Sequence, residues 1–290
     1  PRGSWALAVS DVEITRLPLG SGSATVDLAE ARFTAGEIAF DRGLEGDLRW
    51  DVATGRVQGT AVWADARPGW GQELEAVVGE VADLEMEVDW TGDGQPLGRI
   101  GIDGERATLE VRSTPKGVRV TGSLAGDASV DIDLDWTSTG GLHGKGELTV
   151  HSMEGVLDTF AAGLDLPLTG NARAALQVHI PEDAPASLNA SVRSADLALA
   201  ERSVHLATPL EIHIGGGGMV IDDVRIAVGD DPIQLRLGVT REGGITGRVS
   251  GIVDALLLRF LLPDWTPAGR AIAEVDIAGS ATRPLLTGVV

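Results

Sequence analysis

Five histidines, 43 carboxylates and seven tryptophans are the side chains of this 290-residue chain that could bind or transform a ligand, and spacing decides what they can do. His143 and His151 stand eight residues apart, as do His205 and His213, so each pair would share a face of a continuous strand. A metal site needs convergent ligands, and no carboxylate completes a recognised pattern around either pair. These histidines read as solvated residues of a polar face. Asp131-x-Asp133-x-Asp135 has the opening rhythm of a calcium loop, but Trp136 follows where the loop needs glycine and the twelfth position is Leu142 rather than glutamate. Strand alternation accounts for the aspartates better. No GxSxG occurs, and the absence of cysteine removes thiol nucleophiles, disulfides and Cys-ligated metals. The run Gly215-Gly216-Gly217-Gly218 lacks the GK[ST] ending of a phosphate loop and reads as a hairpin turn. Trp50, Trp63, Trp90 and Trp136 fall near strand ends, where they would pack at edges or in a core; gathered in one cleft they would instead make a sugar-stacking platform. No catalytic set, metal or cofactor is expected, and the chain reads as a non-enzyme.

Composition narrows the partners. A net charge of −20 argues against nucleic acid, which needs clustered Lys and Arg to displace counterions, and it repels anionic membrane surfaces. With 43% hydrophobic residues the chain is not disordered. Thirty-nine glycines, 4% aromatics and no tyrosine suit many short strands joined by tight turns. The apolar run Ala255 to Leu262 contains Arg259 and is far shorter than the roughly 18 to 20 residues of a spanning helix. Pro1-Arg2-Gly3-Ser4 reads as the remnant of an engineered protease site, outside the fold.

The elements that must position any site are strands. Apolar residues at period two, as in Trp5, Leu7, Val9 or Leu84, Met86, Val88, describe sheets with one dry and one wet face. Gly20 to Ser23, Asp41 to Gly43 and Thr91 to Gly94 read as turns, and Thr114 to Gly117 as a hairpin turn. Val204 to Ile214 reads as one strand. Three short helices interrupt the strands. One lies near 71–79, ending at Gly79. A second lies near 152–163, where Met153, Val156, Leu157, Phe160, Ala161 and Leu164 share a helical face behind an N-cap at Ser152. The third lies near 254–262, with Asp254 as its cap. The second, about three turns long, is marginal alone and should dock on a sheet or against a sheet end, where it could cap the open end of an apolar trough. The expected domains are a β segment at 5–140 and another at 141–290.

One plan recurs. GxϕxGxϕ, an apolar helical stretch and a returning alternation run from Gly244 to Val290, and earlier from Gly55 to Ile100 and from Gly141 to Val192. Aligned on Gly59, Gly144 and Gly247, the units stand 85 and 103 residues apart, too irregular for a solenoid of uniform period. The fold class expected is mainly β: an elongated, curved or U-shaped, antiparallel-rich sheet with a few short amphipathic helices. A closed globule of this size would need more large aromatics to fill it, whereas a half-pipe can leave its inner face apolar and unfilled, and a lipid chain is the natural occupant of such a surface.

The stretch GRAIAEVDIAGSATRPLLTG, Gly269 to Gly288, resembles the repeated G-x-ϕ-x-ϕ-x-ϕ-x-G-T-x-x-x-P-x-ϕ-x-G phrase of the TamB and AsmA-like proteins, with Ser280 where the phrase commonly has threonine. The strand series from Asp196 to Val239, including Pro209-Leu210-Glu211-Ile212, is similar to the same family, and the likeness is clearest from about Ser187 onward. The resemblance implies a periplasmic protein of a diderm bacterium, anchored in the inner membrane by a segment not present here. It implies a β-groove that carries phospholipid between the membranes, in some members beside an outer-membrane partner of the Omp85 type. It brings no catalytic residue. The cleanest alternations supply the candidate groove lining: Leu109 and Val111; Val118 and Val120; Val130, Ile132 and Leu134; Ile212 and Ile214; Leu235 and Leu237; Val275 and Ile277. Ordinary sheet core is the competing reading for each. A structural or adhesive module, or a carbohydrate-binding one, is the alternative function.

Overall fold

The computed structural model describes residues 3–14, 17–29, 32–40, 44–51, 54, 56–66, 77–79, 82–90, 97–138, 141–160, 167–181, 184–200, 202–216, 218–240, 243–254, 269–280 and 283–289. The chain is mainly β, and it divides into two compact units, Pro1–Gly126 and Asp127–Val290. The first holds β1 (Gly3–Ile14), β2 (Leu17–Ala29), β3 (Arg32–Phe40), β4 (Leu44–Asp51), β5 (Arg56–Ala66), β6 (Ala82–Trp90), β7 (Leu97–Gly104), β8 (Ala107–Thr114) and β9 (Gly117–Leu124). Each pairs antiparallel with the next.

The second unit holds β10 (Ala128–Trp136), β11 (Leu142–Val150), helix α1 (Met153–Phe160), β12 (Leu168–Ile180), β13 (Ser187–Leu199), β14 (Arg202–Leu206) and β15 (Leu210–Gly215). It continues with β16 (Gly218–Val228), β17 (Asp231–Thr240), β18 (Ile245–Asp254), β19 (Arg270–Ser280) and β20 (Arg283–Val289). Its strands also pair antiparallel in chain order, with one exception: β14 and β15 lie end to end between β13 and β16 and each pairs with both. The expected single strand from Val204 to Ile214 is therefore broken at Ala207-Thr208-Pro209. Pro209 has no N–H to give a ladder, while the Ala207 amide still donates to the Arg225 carbonyl at 2.9 Å.

Period-two alternation sets the two faces of each unit. On the apolar face of the first unit, Leu44, Trp63, Leu84, Ile102, Leu109 and Gly122 stand in register from β4 to β9. Glycines recur on the apolar face of each unit opposite large aliphatic residues. Gly59 faces Leu48, Gly122 faces Leu109, Gly146 faces Ile132 and Gly247 faces Leu237. A Cβ at those four positions would lie 3.0, 2.9, 2.7 and 3.1 Å from a side-chain carbon of the facing residue. The nearest atom at each is a backbone carbonyl oxygen of the facing strand, of Asp47, Thr108, Asp131 and Arg236 at 2.6, 2.2, 2.4 and 2.7 Å, so close approach of the neighbouring backbone excludes a side chain and the aliphatic residue leans over the space the glycine leaves.

Several expectations are modified. Gly20 to Ser23 is not a turn: these residues continue β2, with Gly20 opposite Val12 and Gly22 opposite both Val9 and Phe40. Gly3 and Ser4, expected outside the fold, begin β1 opposite Leu28 and Asp27. The hairpins at Thr114–Gly117 and Gly215–Gly218 form as expected, each closed by direct register pairing. Helix α1 begins where expected, with the Gly155 amide donating to Ser152 Oγ at 3.3 Å. Ala161 and Leu164 lie outside the described residues. In the segment near 71–79, Val77 and Val78 are helical and the preceding residues lie outside the description. Asp254, expected as a helix cap, is the last residue of β18, opposite Arg270; residues 255–262, like the turns at Asp41 to Gly43 and Thr91 to Gly94, lie outside the described residues.

Gly122→Ala tests this close approach, because the added Cβ would lie 2.2 Å from the Thr108 carbonyl oxygen and 2.9 Å from Leu109 Cα and Cδ2. The expected loss is about 1–3 kcal/mol in urea unfolding, whereas Gly126→Ala, at a position with open space around it, should owe any loss to its positive φ alone. A Gly122→Ala variant as stable as the parent would contradict the packing described.

Candidate functional site

The apolar face of each unit is covered along one rim and open along the other. In the first unit the covered rim carries Leu44, Trp63, Ala82, Leu84, Ala107 and Leu109, all buried. Val78, fully buried, lies against Gly104, and its carbonyl accepts the Arg106 amide at 3.1 Å. Val78, in the described part of the connection from β5 to β6, thus covers this rim. In the second unit Ala128, Val150, Ala172, Val228, Val253 and Ala273 are buried at the corresponding rim. Helix α1 joins β11 to β12 there, fastened by the His151 and Ser152 amides, which donate to the Asp127 carbonyl at 2.7 and 3.2 Å. The opposite rim of the second unit exposes apolar residues of the same face: Trp136 at 43%, Ile180 at 37% and Ile214 at 42%.

In the first unit the open side forms a cavity of about 560 Å³ that crosses six consecutive strands. Its floor alternates small and large residues: Leu44, Gly46 and Leu48 on β4, Gly59 and Ala61 on β5, Met86 and Val88 on β6. Gly98 and Ile100 continue it on β7, with Val111 and Ser113 on β8 and Val118 on β9. Ile100 lies between Met86 and Val111 in register, in the middle of the sheet, yet is 41% exposed. Among these inward positions only Ser113 has a polar side chain, and it bonds the Gly98 backbone, accepting from the amide at 2.5 Å and donating to the carbonyl at 3.3 Å. The site therefore offers a ligand apolar contact and almost no hydrogen bonding.

The residues singled out from sequence separate under this geometry. Val111 and Val118 line the cavity, and Val120 stands beside Val111 on the same face, half-buried. Leu109 and Leu134 are buried core residues rather than lining; Leu109 stands next to Ala107 toward the covered rim, whereas Leu134 is buried one row in from the exposed Trp136. Val130, Ile132 and Ile212 pack on a core of Ala174, Leu176 and Ala190, and Val275 packs on a second core around Val204, Val228 and Ile233. Leu235, Leu237 and Ile277 are half-buried on the apolar face, and Ile214 is at the open rim. Leu48, Ala61, Met86 and Ile100 were missed. Their signal was present in the register of glycines against aliphatics, which needs strand pairing to be read.

The polar face holds the charges. Arg56 forks onto Asp89, with Nε–Oδ1 at 2.9 Å and Nη2–Oδ2 at 2.5 Å, and this hydrogen-bonded pairing holds the Asp89 carboxyl below the usual carboxylate range. Glu110 is held low in the same way, first by Arg112 at 2.5 Å and then by Arg99 at 2.8 Å. Asp131, Asp133 and Asp135 alternate outward on β10, as expected, and among the described residues no group of three or more His, Asp or Glu can hold a metal ion. All five histidines are exposed; His143 and His179 face each other, and His213 lies 2.7 Å from Asn189 Oδ1 and 3.3 Å from Asp222 Oδ2. Trp63 is buried, Trp90 and Trp136 are partly exposed, and the latter two belong to different units.

No family model, curated protein or solved structure matches this chain.

A carboxyl with a lowered folded pKa adds stability that is present above its unfolded pKa and disappears as pH falls through the folded one. The stability advantage of the parent over the double variant Asp89→Asn, Glu110→Gln should therefore be present at about pH 6 and shrink below about pH 4. Urea midpoints of both proteins across that range check it. An advantage that persists unchanged to low pH would separate these contacts from ionisation.

Proposed function

We propose that the apolar face of this chain holds the hydrocarbon chains of a lipid, phospholipid above all, and performs no covalent chemistry. The observation that carries this reading is the cavity over β4 to β9, in which a mid-sheet isoleucine is left open to water. Exposed apolar surface costs about 25 cal/mol per Å², so an occupant that covers it is stabilised without any polar contact. A sugar or nucleotide would lose its hydration there and find no partner. Six strands spaced about 4.8 Å apart span about 24 Å, longer than the roughly 15 Å that one leaflet of acyl chains occupies. The trough is thus long enough to lay an acyl chain across the strands.

The phrase from Gly269 to Gly288 that resembles the TamB and AsmA-like proteins supports a wider reading: traffic of phospholipid between the inner and outer membranes of a diderm bacterium, in the periplasm. On this reading the inner-membrane anchor is supplied outside this chain, and an Omp85-type protein is the outer-membrane partner. The net charge of −20 fits a carrier that does not adhere to anionic bilayers.

Native mass spectrometry of the protein purified from cells should find phospholipid bound, and a fluorescent lipid should be taken up by the emptied protein. Ile100→Asp and Val111→Asp should each lower uptake about tenfold or more, by placing a carboxylate on the trough floor, with circular dichroism unchanged. A parent protein free of lipid that also takes up none would sink the proposal.

A further inference from the structure

The open rim of the second unit combines exposed apolar side chains with turns that carry little charge. Register brings Trp136, Leu142 and Ile180 into one row across β10, β11 and β12, at the outer end of the apolar face. Ile214 stands at the same end of β15, opposite Leu188 and Met219. The connections beyond them are held together. The Thr137 amide donates to the Gly141 carbonyl at 2.8 Å, and a Cβ on Gly216 would meet Pro185 at 2.9 Å, so the β12–β13 and β15–β16 connections lie against each other.

In a chain of net charge −20, residues 137–141 and 216–217 include no ionisable side chain, and residues 181–186 include only Glu182 and Asp183. Asp135, His143 and His179 are near the rim but on the other parity of their strands, on the polar face. The apolar end of the sheet can therefore leave water with few charges to dehydrate.

Three partly exposed side chains fall far short of the roughly 800 Å² that each partner of a stable dimer buries, which argues against a second copy of this chain as the occupant. A bilayer surface fits better. Tryptophan settles at the boundary between headgroups and hydrocarbon, with its ring in apolar surroundings and its N–H wet, and isoleucine beside it gains about 25 cal/mol for each Å² removed from water. An anionic surface would repel the acidic remainder of the chain, whereas a neutral one would not.

We infer that this rim seats the second unit on a zwitterionic bilayer, with Trp136, Ile180 and Ile214 in the headgroup boundary. As the step that brings lipid to the apolar face, the contact rests on the function proposed above; as a contact with the bilayer, it stands alone.

Flotation of the whole chain with phosphatidylcholine vesicles tests the contact, because that lipid is zwitterionic. The protein should float with them, and less with vesicles that contain phosphatidylglycerol at low salt. Ile180→Asp and Ile214→Asp should each lower the partition coefficient about tenfold, with circular dichroism unchanged, because a carboxylate must then lose its water. Val220→Asp is the control: Val220 is as exposed as Ile214, 41% against 42%, but belongs to the polar face, so this variant should float like the parent. Quenching of tryptophan fluorescence by phosphatidylcholine brominated on its acyl chains should fall in Trp136→Phe. Absence of flotation, flotation that both rim variants leave intact, or an equal loss in Val220→Asp overturns the inference, as does light scattering that shows a dimeric parent and monomeric rim variants. Uptake of a short-chain fluorescent phospholipid, supplied as monomers without vesicles, reads the trough separately. Uptake without flotation removes the docking and spares the lipid proposal, and flotation without uptake does the reverse.

Discussion

The contact between a glycine and a large aliphatic residue on the neighbouring strand is the constraint from which the rest of both units follows. Strand neighbours stand about 4.8 Å apart, and two large side chains facing each other at every row would crowd one face. Leu48 over Gly59, Leu109 over Gly122, Ile132 over Gly146 and Leu237 over Gly247 each let one side chain cover two positions. The apolar face is thereby covered by fewer large side chains, and without tyrosine. A surface built this way is closed where inserted segments lie against it and open where they do not, and both conditions occur within one unit.

Division of labour between faces follows from the same alternation. The apolar positions of β4 to β9 hold a trough with no free polar side chain, while the intervening positions hold Arg56 with Asp89 and Arg99 and Arg112 with Glu110. Because these pairs are exposed, they organise neighbouring strands more than they stabilise them. In the second unit the same outward parity sets Arg236 of β17 opposite Arg248 of β18, which bonds Glu274 of β19. One strand pattern thus supplies an apolar surface and a charged one back to back.

Much of this was legible in the residues. Strict alternation in Leu84, Met86, Val88 and in Val130, Ile132, Leu134 identified strands and their faces, and the helical periodicity after Ser152 identified α1. Turn chemistry was less reliable: Gly20 to Ser23 has the composition of a turn but belongs to β2, because β1 supplies partners for Gly20, Gly22 and Ser23 and β3 for Gly22 and Ser23. The distinction between lining and core was not legible at all. Leu109 and Val111 share a strand and a face, and only their distance from the stoppered rim makes one buried and the other part of the cavity. That distance is a property of the register across six strands, which no local pattern encodes.

Strand order that follows chain order has a consequence for growth. Outside the stretch from β13 to β16, each strand pairs with the strands immediately before and after it in the chain, most of them across short turns and β5–β6, β11–β12 and β18–β19 across longer connections. A sheet assembled in this way can be lengthened by one hairpin at a time, by duplication, without disturbing contacts already made. The unequal spacing of Gly59, Gly144 and Gly247 is the trace such a history of insertion would leave.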